Sequence, residues 1–280
     1  MKYLKLCCVA PHPPIMIPEV GGREVKKVQA STIALQRLAD EIETIGPESL
    51  LVMSPHTPIH AESFTVKTSP LLSGSFSTFG APQVRVQSGP DLVLADAIVE
   101  KARRRGVTVE KVGVGASRDS GELDHGILVP LYYLARRSYP LVCLSMSLLD
   151  YRDHYQLGIA LREALEAIGR TAVLIASGDL SHRLKPGAPA GYSPRGVEFD
   201  RAIVEIMDEA DYVRLFKLDP VMVEEAGECG LRSIFTLAGA VDGYAVESVA
   251  LSYEGPFGVG YMVARVKPGE PEMKRSLVSL

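Results

Sequence analysis

The amino-acid sequence predicts an α/β protein that folds as a single domain. Short β-rich runs alternate with segments of helical periodicity along the chain, which is typical of a sheet covered by helices. With 280 residues, 46% of them hydrophobic and 23% charged, the chain can bury a substantial core. Neither an internal repeat nor a Ser/Gly-rich linker divides it, so residues 1–280 are expected to form one domain.

The first half of the chain predicts a series of strands interrupted by two helices. Apolar runs bounded by turn residues predict strands at residues 3–10, 50–54, 64–68 and 83–87. Apolar residues along one face predict a helix over 24–45, and a second helix is predicted over 91–105. The Gly- and Ser-rich stretch 73–80 is expected to be a connection without regular structure.

The second half continues the same alternation. Apolar runs predict strands at residues 108–112, 141–148 and 172–176, and a closing β-rich stretch at 245–266. Helical periodicity predicts helices at residues 126–137, 153–168, 196–208 and 231–240. A Gly- and Pro-rich loop is expected at 185–194, and residues 268–280 are expected to form a polar tail.

Composition and charge exclude several classes of protein. With 30 Lys and Arg against 34 Asp and Glu, the net charge is −4, so the chain lacks the basic character of a protein that binds nucleic acid or an anionic membrane surface. The 4 cysteines form no C-x-x-C pair and favour a reducing compartment over a disulfide scaffold. No stretch approaches the roughly 18 apolar residues that span a bilayer. A cytoplasmic protein is therefore expected.

Two predicted strands end in the same motif, P-H-x-P. His12 lies between Pro11 and Pro13 just after the first strand, and His56 follows Pro55 just after the second. Proline restricts its own φ and the conformation of the residue before it, so each imidazole is held on an extended backbone. Ligands of open α/β sheets bind at the carboxyl ends of strands. The two imidazoles are therefore expected to converge on one site.

Two further histidines lie close to carboxylates. After the strand at 172–176 comes S-G-D-L-S-H, in which Asp179 and His182 are three residues apart and are neighbours if a helical turn begins there. Asp124 precedes His125 at the start of a predicted helix. A carboxylate can set the tautomer of a histidine or raise its basicity, which makes His182, Asp179 and His125 candidate catalytic residues. The alternative for Asp179 and His182 is helix capping and surface solvation.

A metal site follows from ligand chemistry. Two neutral imidazoles and a carboxylate that leave coordination positions open are the facial arrangement of non-haem Fe(II) oxygenases. With His12 and His56 as two ligands, the carboxylate is expected in the acid-rich turn E-E-A-G-E-C-G, residues 224–230. Gly227 and Gly230 interrupt this run, which indicates a close approach of the backbone to another group.

The order of these motifs resembles that of the class III extradiol ring-cleavage dioxygenases, of the LigB-like catalytic-subunit type. P-H-x-P at His12, S-P-H-T-P at His56, D-H-G at His125, S-G-D-L-S-H at His182 and E-A-G-E-C-G-L-R from Glu225 follow one another over almost the whole chain. Within that superfamily the sequence looks closest to the Memo-like proteins of the set called AmmeMemoRadiSam. The resemblance implies a single three-layer α/β/α domain with a mixed central sheet, in agreement with the α/β class that the alternation of elements predicts.

The resemblance implies an Fe(II) cofactor, with Cu or Zn as alternatives. His12 and His56 match the two iron-ligating histidines of the family, and Glu228 is taken as the third metal ligand. In Memo-like relatives this region supplies a Cys instead, and this sequence offers Cys229 beside Glu228, with Glu225 as a further alternative. A thiolate is a softer ligand than a carboxylate and favours Cu or Zn over Fe(II).

The resemblance also implies a reaction, the O₂-dependent cleavage of a catechol- or aminophenol-like aromatic ring. His182 matches the active-site base of the family, Asp179 the acid of its motif, and His125 a histidine that contacts substrate or oxygen. The alternative is a Memo-like metal-binding redox or adaptor protein without ring-cleavage activity, working with AMMECR-type and radical-SAM partner proteins. A zinc hydrolase would share the ligands. Association into a homo-oligomer is expected from the family.

Overall fold

A computed structural model describes residues 1–113 and 121–277 of the chain. Its strands are β1 (Leu4–Ala10), β2 (Ser49–Ser54), β3 (Phe64–Lys67), β4 (Leu72–Phe76), β5 (Ala81–Ser88), β6 (Val109–Val112), β7 (Leu141–Ser145), β8 (Ala172–Ser177), β9 (Tyr244–Glu254) and β10 (Tyr261–Pro271). Its helices are α1 (Pro18–Gly21), α2 (Gln29–Ile45), α3 (Leu92–Arg104), α4 (His125–Leu134), α5 (Tyr151–Ile168), α6 (Arg195–Glu209), α7 (Pro220–Ala226) and α8 (Leu231–Ala240). Short 3₁₀ segments precede α1 and α2, join β4 to β5, and follow α6 and β10.

One large mixed sheet forms the centre of the molecule. Within the described residues it has 8 strands in the order β6-β3-β7-β2-β8-β1-β10-β9. The neighbouring strands β7, β2, β8 and β1 are parallel to one another, whereas β3 and β10 pair antiparallel to this central group. The carboxyl ends of β1, β2 and β8 therefore lie at the same edge of the sheet, where open α/β sheets bind their ligands.

Helices cover both faces of this sheet. Successive side chains of a strand point to opposite faces, so Cys7 and Val9 of β1 join one apolar core while Leu6 and Cys8 join the other. The first core is completed by α3, α5, α6 and α8, and the second by α2 and α4. The predicted three-layer α/β/α arrangement with a mixed sheet is confirmed.

Helices α5 and α8 approach each other more closely than side chains would permit. A Cβ atom built on Gly158 would lie 2.0 Å from the backbone oxygen of Thr236, and one built on Gly239 would lie 2.0 Å from the backbone oxygen of Tyr155. Glycine at both positions lets the two backbones meet directly. This contact fixes α8, and with it the turn at 227–230 that precedes it.

Replacing Gly158 by alanine should destabilise the fold. The added methyl group cannot be accommodated without moving α8, so we expect Gly158→Ala to lower the free energy of unfolding by about 2 kcal/mol and the Tm by roughly 5 °C. Gly89→Ala is the matched control, because a Cβ atom at Gly89 meets no atom within 4 Å. Thermal unfolding followed by circular dichroism measures both. Equal Tm values for the two variants would contradict the close helix contact.

The largest differences between the structure and the sequence prediction lie at three places. Residues 73–80 were expected to be irregular, but Leu72–Phe76 is strand β4, which pairs with β5 in a separate hairpin because Leu72 and Phe76 are both buried. Helix α7 was not predicted. Its 7 residues are too few for a clear periodicity, and it begins at the N-cap Asp219, whose side chain accepts a hydrogen bond from Val221 N.

The third difference lies at the C-terminal end. Residues from Pro268 onward were expected to be a polar tail, but β10 continues to Pro271 and pairs with β9 as far as Tyr244. The register of β10 with β1 ends at Val266, whereas its register with β9 continues to Pro271. Polarity alone did not distinguish this projecting end of the strand from a tail. The last three residues of the predicted tail, 278–280, lie outside the described residues. Across the described ranges, no helix combines the length and apolar character that crossing a membrane requires.

Candidate metal centre

The strand ends bring His12 and His56 into contact. Each histidine lies two residues beyond its strand, His12 after β1 and His56 after β2. Their Nε2 atoms are 2.9 Å apart, and their rings are nearly perpendicular. His12 is 2% exposed. The convergence expected from the repeated P-H-x-P motif is therefore present.

His125 completes a cluster of three imidazoles. It is the first residue of α4, and its ring centroid lies 3.9 Å from that of His56 and 5.5 Å from that of His12. One ring nitrogen from each of the three residues lies within 4.8 Å of the others. Phe79, which packs against His125 at 5.5 Å between ring centroids, contributes an apolar wall.

Asp124 ties the loop that carries His56 to the start of α4. Its Oδ1 accepts a hydrogen bond from Ser54 Oγ at 2.6 Å, and its Oδ2 accepts one from Thr57 Oγ1 at 2.7 Å. The two hydroxyl groups flank His56 in the sequence. This carboxylate therefore positions His56 and His125 relative to each other, a role that the sequence had not assigned.

Ser177 sets the tautomer of His12. Its hydroxyl donates to the backbone oxygen of Gly126 at 2.5 Å, which leaves the hydroxyl oxygen to accept from His12 Nδ1 at 3.0 Å. With the proton on Nδ1, neutral His12 carries a free lone pair on Nε2, the atom that faces His56. A second hydrogen bond of this kind orients metal-ligating histidines in general.

Cys229 and the turn after β8 close the other side of the cluster. Cys229 Sγ lies 3.7 Å from His12 Nε2 and 3.7 Å from His182 Nε2. Asp179 Oδ2 lies 4.0 Å from the Nε2 atoms of both His12 and His182. His12, Asp179 and Cys229 form a second group whose potential ligand atoms lie within 4.8 Å of one another. Both groups share His12.

Two glycines allow these two turns to meet. A Cβ atom on Gly178 would lie 2.1 Å from Gly230 Cα, so the backbones are in direct contact there. Asp179 N donates to Cys229 Sγ at 3.3 Å, and Cys229 N donates to the backbone oxygen of Asp179 at 3.3 Å. The sequence indicated that the backbone of the 224–230 turn approaches another group closely. That group is the backbone of the turn that carries Asp179.

The structure does not bring Glu228 or Glu225 into the cluster. Glu228 Oε2 accepts a hydrogen bond from Leu231 N at 2.6 Å, so this carboxylate caps the first turn of α8. Glu225 Oε2 accepts from Ser193 Oγ at 2.9 Å. Of the three candidates for the third ligand, Cys229 is the one whose side chain lies among the histidines.

Burial keeps the imidazoles neutral. It lowers the pKa of His12 well below its usual value, lowers that of His56 to about 4, and lowers those of His125 and His182. For His12, His56 and His182 the neighbouring histidines lower the pKa further. Neutral imidazole is the form that binds a metal ion.

Burial acts in the opposite direction on the acidic groups. It raises the pKa of Asp179 to about 7, although the hydrogen bond from His12 N partly offsets this. Burial, followed by the charge of Asp179, raises the pKa of the Cys229 thiol well above its usual value. A cation among these groups would favour their ionised forms, because a coordinating thiol is deprotonated by its metal.

The donor set fits a transition-metal ion. The set is rich in nitrogen and sulfur, because it contains two imidazole nitrogens and one sulfur, with a further imidazole and a carboxylate at the edge. Ligands of this kind bind transition metals. His154, a further histidine near the start of α5, has a different role. It is fully buried, its Nδ1 contacts the backbone oxygen of Asp150, and its Nε2 accepts from Ser147 N. It therefore supports the loop before α5.

Comparison with known proteins gives one family and several relatives. The family described as catalytic LigB subunit of aromatic ring-opening dioxygenase matches residues 6–264. A Clostridium acetobutylicum protein whose name states no activity is 35% identical over 262 residues, which make up 92% of this chain and 56% of that protein. This chain therefore spans little more than half the length of that relative.

Two more distant relatives carry the names of dioxygenases. The 2-aminophenol 1,6-dioxygenase beta subunit of a Pseudomonas species is 26% identical over 243 residues, 78% of each chain. The 3,4-dihydroxyphenylacetate 2,3-dioxygenase of Escherichia coli is 23% identical over 217 residues, 73% of this chain and 76% of that one. The crystal structure of an uncharacterised Escherichia coli protein shares the fold, with a TM-score of 0.58 at 18% identity over 94% of this chain and 99% of that one.

Proposed function

Because the chain belongs to the LigB family of catalytic subunits of aromatic ring-opening dioxygenases, we propose that it is an Fe(II)-dependent extradiol dioxygenase that cleaves a catechol- or aminophenol-like ring with O₂. Distant relatives named as dioxygenases support an enzyme of this kind. The observation that carries the proposal is the convergence of His12, His56, Cys229 and His182 at the carboxyl edge of the sheet.

We assign His12, His56 and Cys229 as the residues that would hold the metal, in place of the predicted Glu228. His12 Nε2 is 2.9 Å from His56 Nε2 and 3.7 Å from Cys229 Sγ, so His12 joins the group of imidazoles to the group that contains the sulfur. Glu228 is engaged with the backbone of α8. When bound there, iron would supply a common site for the ring and dioxygen and a path for electrons between them.

His182 is proposed as the general base and acid. Its side chain is 27% exposed, more than the 8% of Asp179, so it borders the open side of the centre. Burial lowers its pKa, which leaves the imidazole neutral and able to take a proton from a substrate hydroxyl group at Nε2. Asp179 Oδ2, 4.0 Å away, would stabilise the protonated ring. His125, whose ring lies 3.9 Å from that of His56 and is tilted by 33° against it, is placed to hydrogen-bond the substrate or dioxygen.

The variant His182→Ala should lose catalytic turnover and still bind the metal. Removing a positioned general base lowers turnover by roughly 10²- to 10⁴-fold, and we expect that loss in kcat with the metal content unchanged, because His182 is not among the assigned ligands. Anaerobic reconstitution with Fe(II), metal analysis and steady-state kinetics measure both quantities. His154→Gln is the control, because its imidazole supports a loop instead. Full activity in the iron-loaded His182→Ala variant would overturn the assignment.

The proposed reaction has a direct test. Protein purified and loaded with Fe(II) without oxygen should convert catechols or 2-aminophenols to coloured ring-fission products only after O₂ is admitted. Dioxygen uptake should match product formation in a one-to-one ratio, as incorporation of both oxygen atoms requires. Iron-loaded protein that turns over no member of a broad catechol and aminophenol panel would contradict the proposal.

A second candidate function is favoured by Cys229. A sulfur donor is softer than a carboxylate and suits Cu or Zn, which fits a Memo-like redox or adaptor protein without ring cleavage. Partners would then be proteins of the AMMECR and radical-SAM types, and the clostridial relative does carry further sequence beyond the part that this chain matches. Purification with stoichiometric Cu or Zn, and an inactive iron-loaded form, would favour this alternative. Size-exclusion chromatography would test the expected homo-oligomer.

A further inference from the structure

A cleft behind the 227–230 turn takes no part in the proposed reaction. It lies between the start of α5, the residues that precede α7, and the start of α8, and its volume is about 550 Å³. Small-molecule sites commonly have volumes of roughly 300–1,000 Å³. Glu228 lines this cleft, whereas its neighbour Cys229 faces the histidines. We call it the α7–α8 cleft.

One wall of the α7–α8 cleft is aromatic. The rings of Tyr151 and Phe235 are stacked, with centroids 4.6 Å apart and an interplanar angle of 17°. Phe216 meets Phe235 edge-on at 4.9 Å. Leu215 and Val223 extend this wall with aliphatic surface. The cleft can therefore cover an apolar body of the size of one aromatic ring.

The charged residues of the cleft favour a cationic ligand. Three carboxylates, those of Asp150, Glu224 and Glu228, line it together with the guanidinium groups of Arg152 and Arg232. Negative groups therefore exceed positive ones by one. Asp150 is engaged as the N-cap of α5, where its Oδ1 accepts from Arg152 N at 2.8 Å.

Arg232 is also engaged, within the protein. Its guanidinium group lies over the Tyr151 ring at 5.0 Å and donates a hydrogen bond to the backbone oxygen of Leu149. Glu228 is held at the cleft wall because its Oε2 accepts from Leu231 N. The Glu228 carboxylate also accepts from Gly230 N, and each of its two oxygens can accept more than one hydrogen bond. The aromatic rings nearby favour a cation over a neutral group.

We propose that the α7–α8 cleft binds a small organic ammonium ion with an aromatic or branched apolar body, whose ammonium group pairs with Glu228 and whose body packs on Tyr151 and Phe216. The site is separate from the metal centre and does not depend on the proposed function. Because Glu228 adjoins Cys229, a ligand held there would contact the same turn that carries the assigned metal ligand.

Three probes of similar shape test the charge preference on the unmodified chain. Phenethylamine, phenethyl alcohol and phenylacetate are titrated into metal-free protein by calorimetry, without O₂ or turnover. The amine should bind at least about tenfold tighter than the alcohol, and phenylacetate weakest of all. Intermolecular NOEs between the probe and ring protons of Tyr151 or Phe216 should locate it. Equal affinities, tighter binding of phenylacetate, or no binding of the amine would overturn the proposal.

A pair of variants with the same change of charge tests the contact itself. Glu228→Gln keeps an oxygen that can accept from Leu231 N, and it should weaken phenethylamine binding about tenfold. Glu225→Gln alters a carboxylate that contacts Ser193 instead and should leave the affinity unchanged. If both variants bind as the unmodified chain does, Glu228 is not the partner. The probe comparison stands even if Glu228→Gln does not fold.

Discussion

Cys229→Ser should abolish stable metal binding while leaving the fold intact. Serine keeps the size of the side chain and can accept from Asp179 N, as the sulfur does at 3.3 Å, but a neutral hydroxyl is a far poorer ligand than a thiolate. We expect a loss of affinity beyond the roughly 10- to 100-fold that removal of an outer partner costs. Titration of the metal-free protein with Co(II) measures this directly, because a thiolate ligand adds a sulfur-to-metal charge-transfer band that the variant should lack.

Glu228→Gln is the control that separates the two adjacent residues. Its carboxylate caps α8 through Leu231 N, so this variant should lose some stability of α8 and keep its affinity for Co(II) and the sulfur band. The reverse pattern, in which Glu228→Gln loses the metal and Cys229→Ser retains it, would establish the carboxylate as the third ligand and refute the assignment of Cys229.

Gly178→Ala should disrupt the centre without altering any candidate ligand. The added methyl carbon would lie 2.1 Å from Gly230 Cα, so the two turns must separate by more than an ångström. That shift moves Cys229 away from His12. Overpacking of this kind costs about 1–3 kcal/mol. We expect a lower Tm together with a loss of metal affinity of at least about tenfold.

The matched control for this variant is again Gly89→Ala, which places its methyl group in open space. It should retain both the Tm and the metal affinity of the unmodified chain. A Gly178→Ala protein that loses stability but binds metal normally would show that the contact between the two turns supports the fold alone. Spectra of the Co(II)-loaded protein distinguish these outcomes, since they report on the sulfur ligand.

Local patterns sufficed for most of the fold. Alternating apolar runs and helical periods predicted a sheet covered by helices, because strands such as β1, β7 and β8, with 5–7 residues that are nearly all buried, have few polar positions to confuse the pattern. The mixed character of the sheet was implied by the family resemblance. The β4 strand was missed because its residues Ser73, Gly74 and Ser75 read as a connection. What makes it a strand is its pairing with β5, a contact between segments that no local pattern reports.

For the candidate site, too, local sequence patterns predicted one part and contacts in the folded chain decided the rest. By itself the sequence predicted that His12, His56, Asp179 and His182 lie together at strand ends. The prediction rested on the prolines after β1 and β2 and on the motif after β8. It favoured Glu228 over Cys229 as the third ligand, but adjacent residues of a turn point in different directions, and the local sequence does not show which side chain faces the histidines. The choice depends on the contact of Gly178 with Gly230 and on the capping of α8 by Glu228. The capping bond is local, but the contact of Gly178 with Gly230 joins segments far apart in the sequence. Only the tertiary structure therefore shows that the sulfur, and not the carboxylate, lies among the imidazoles.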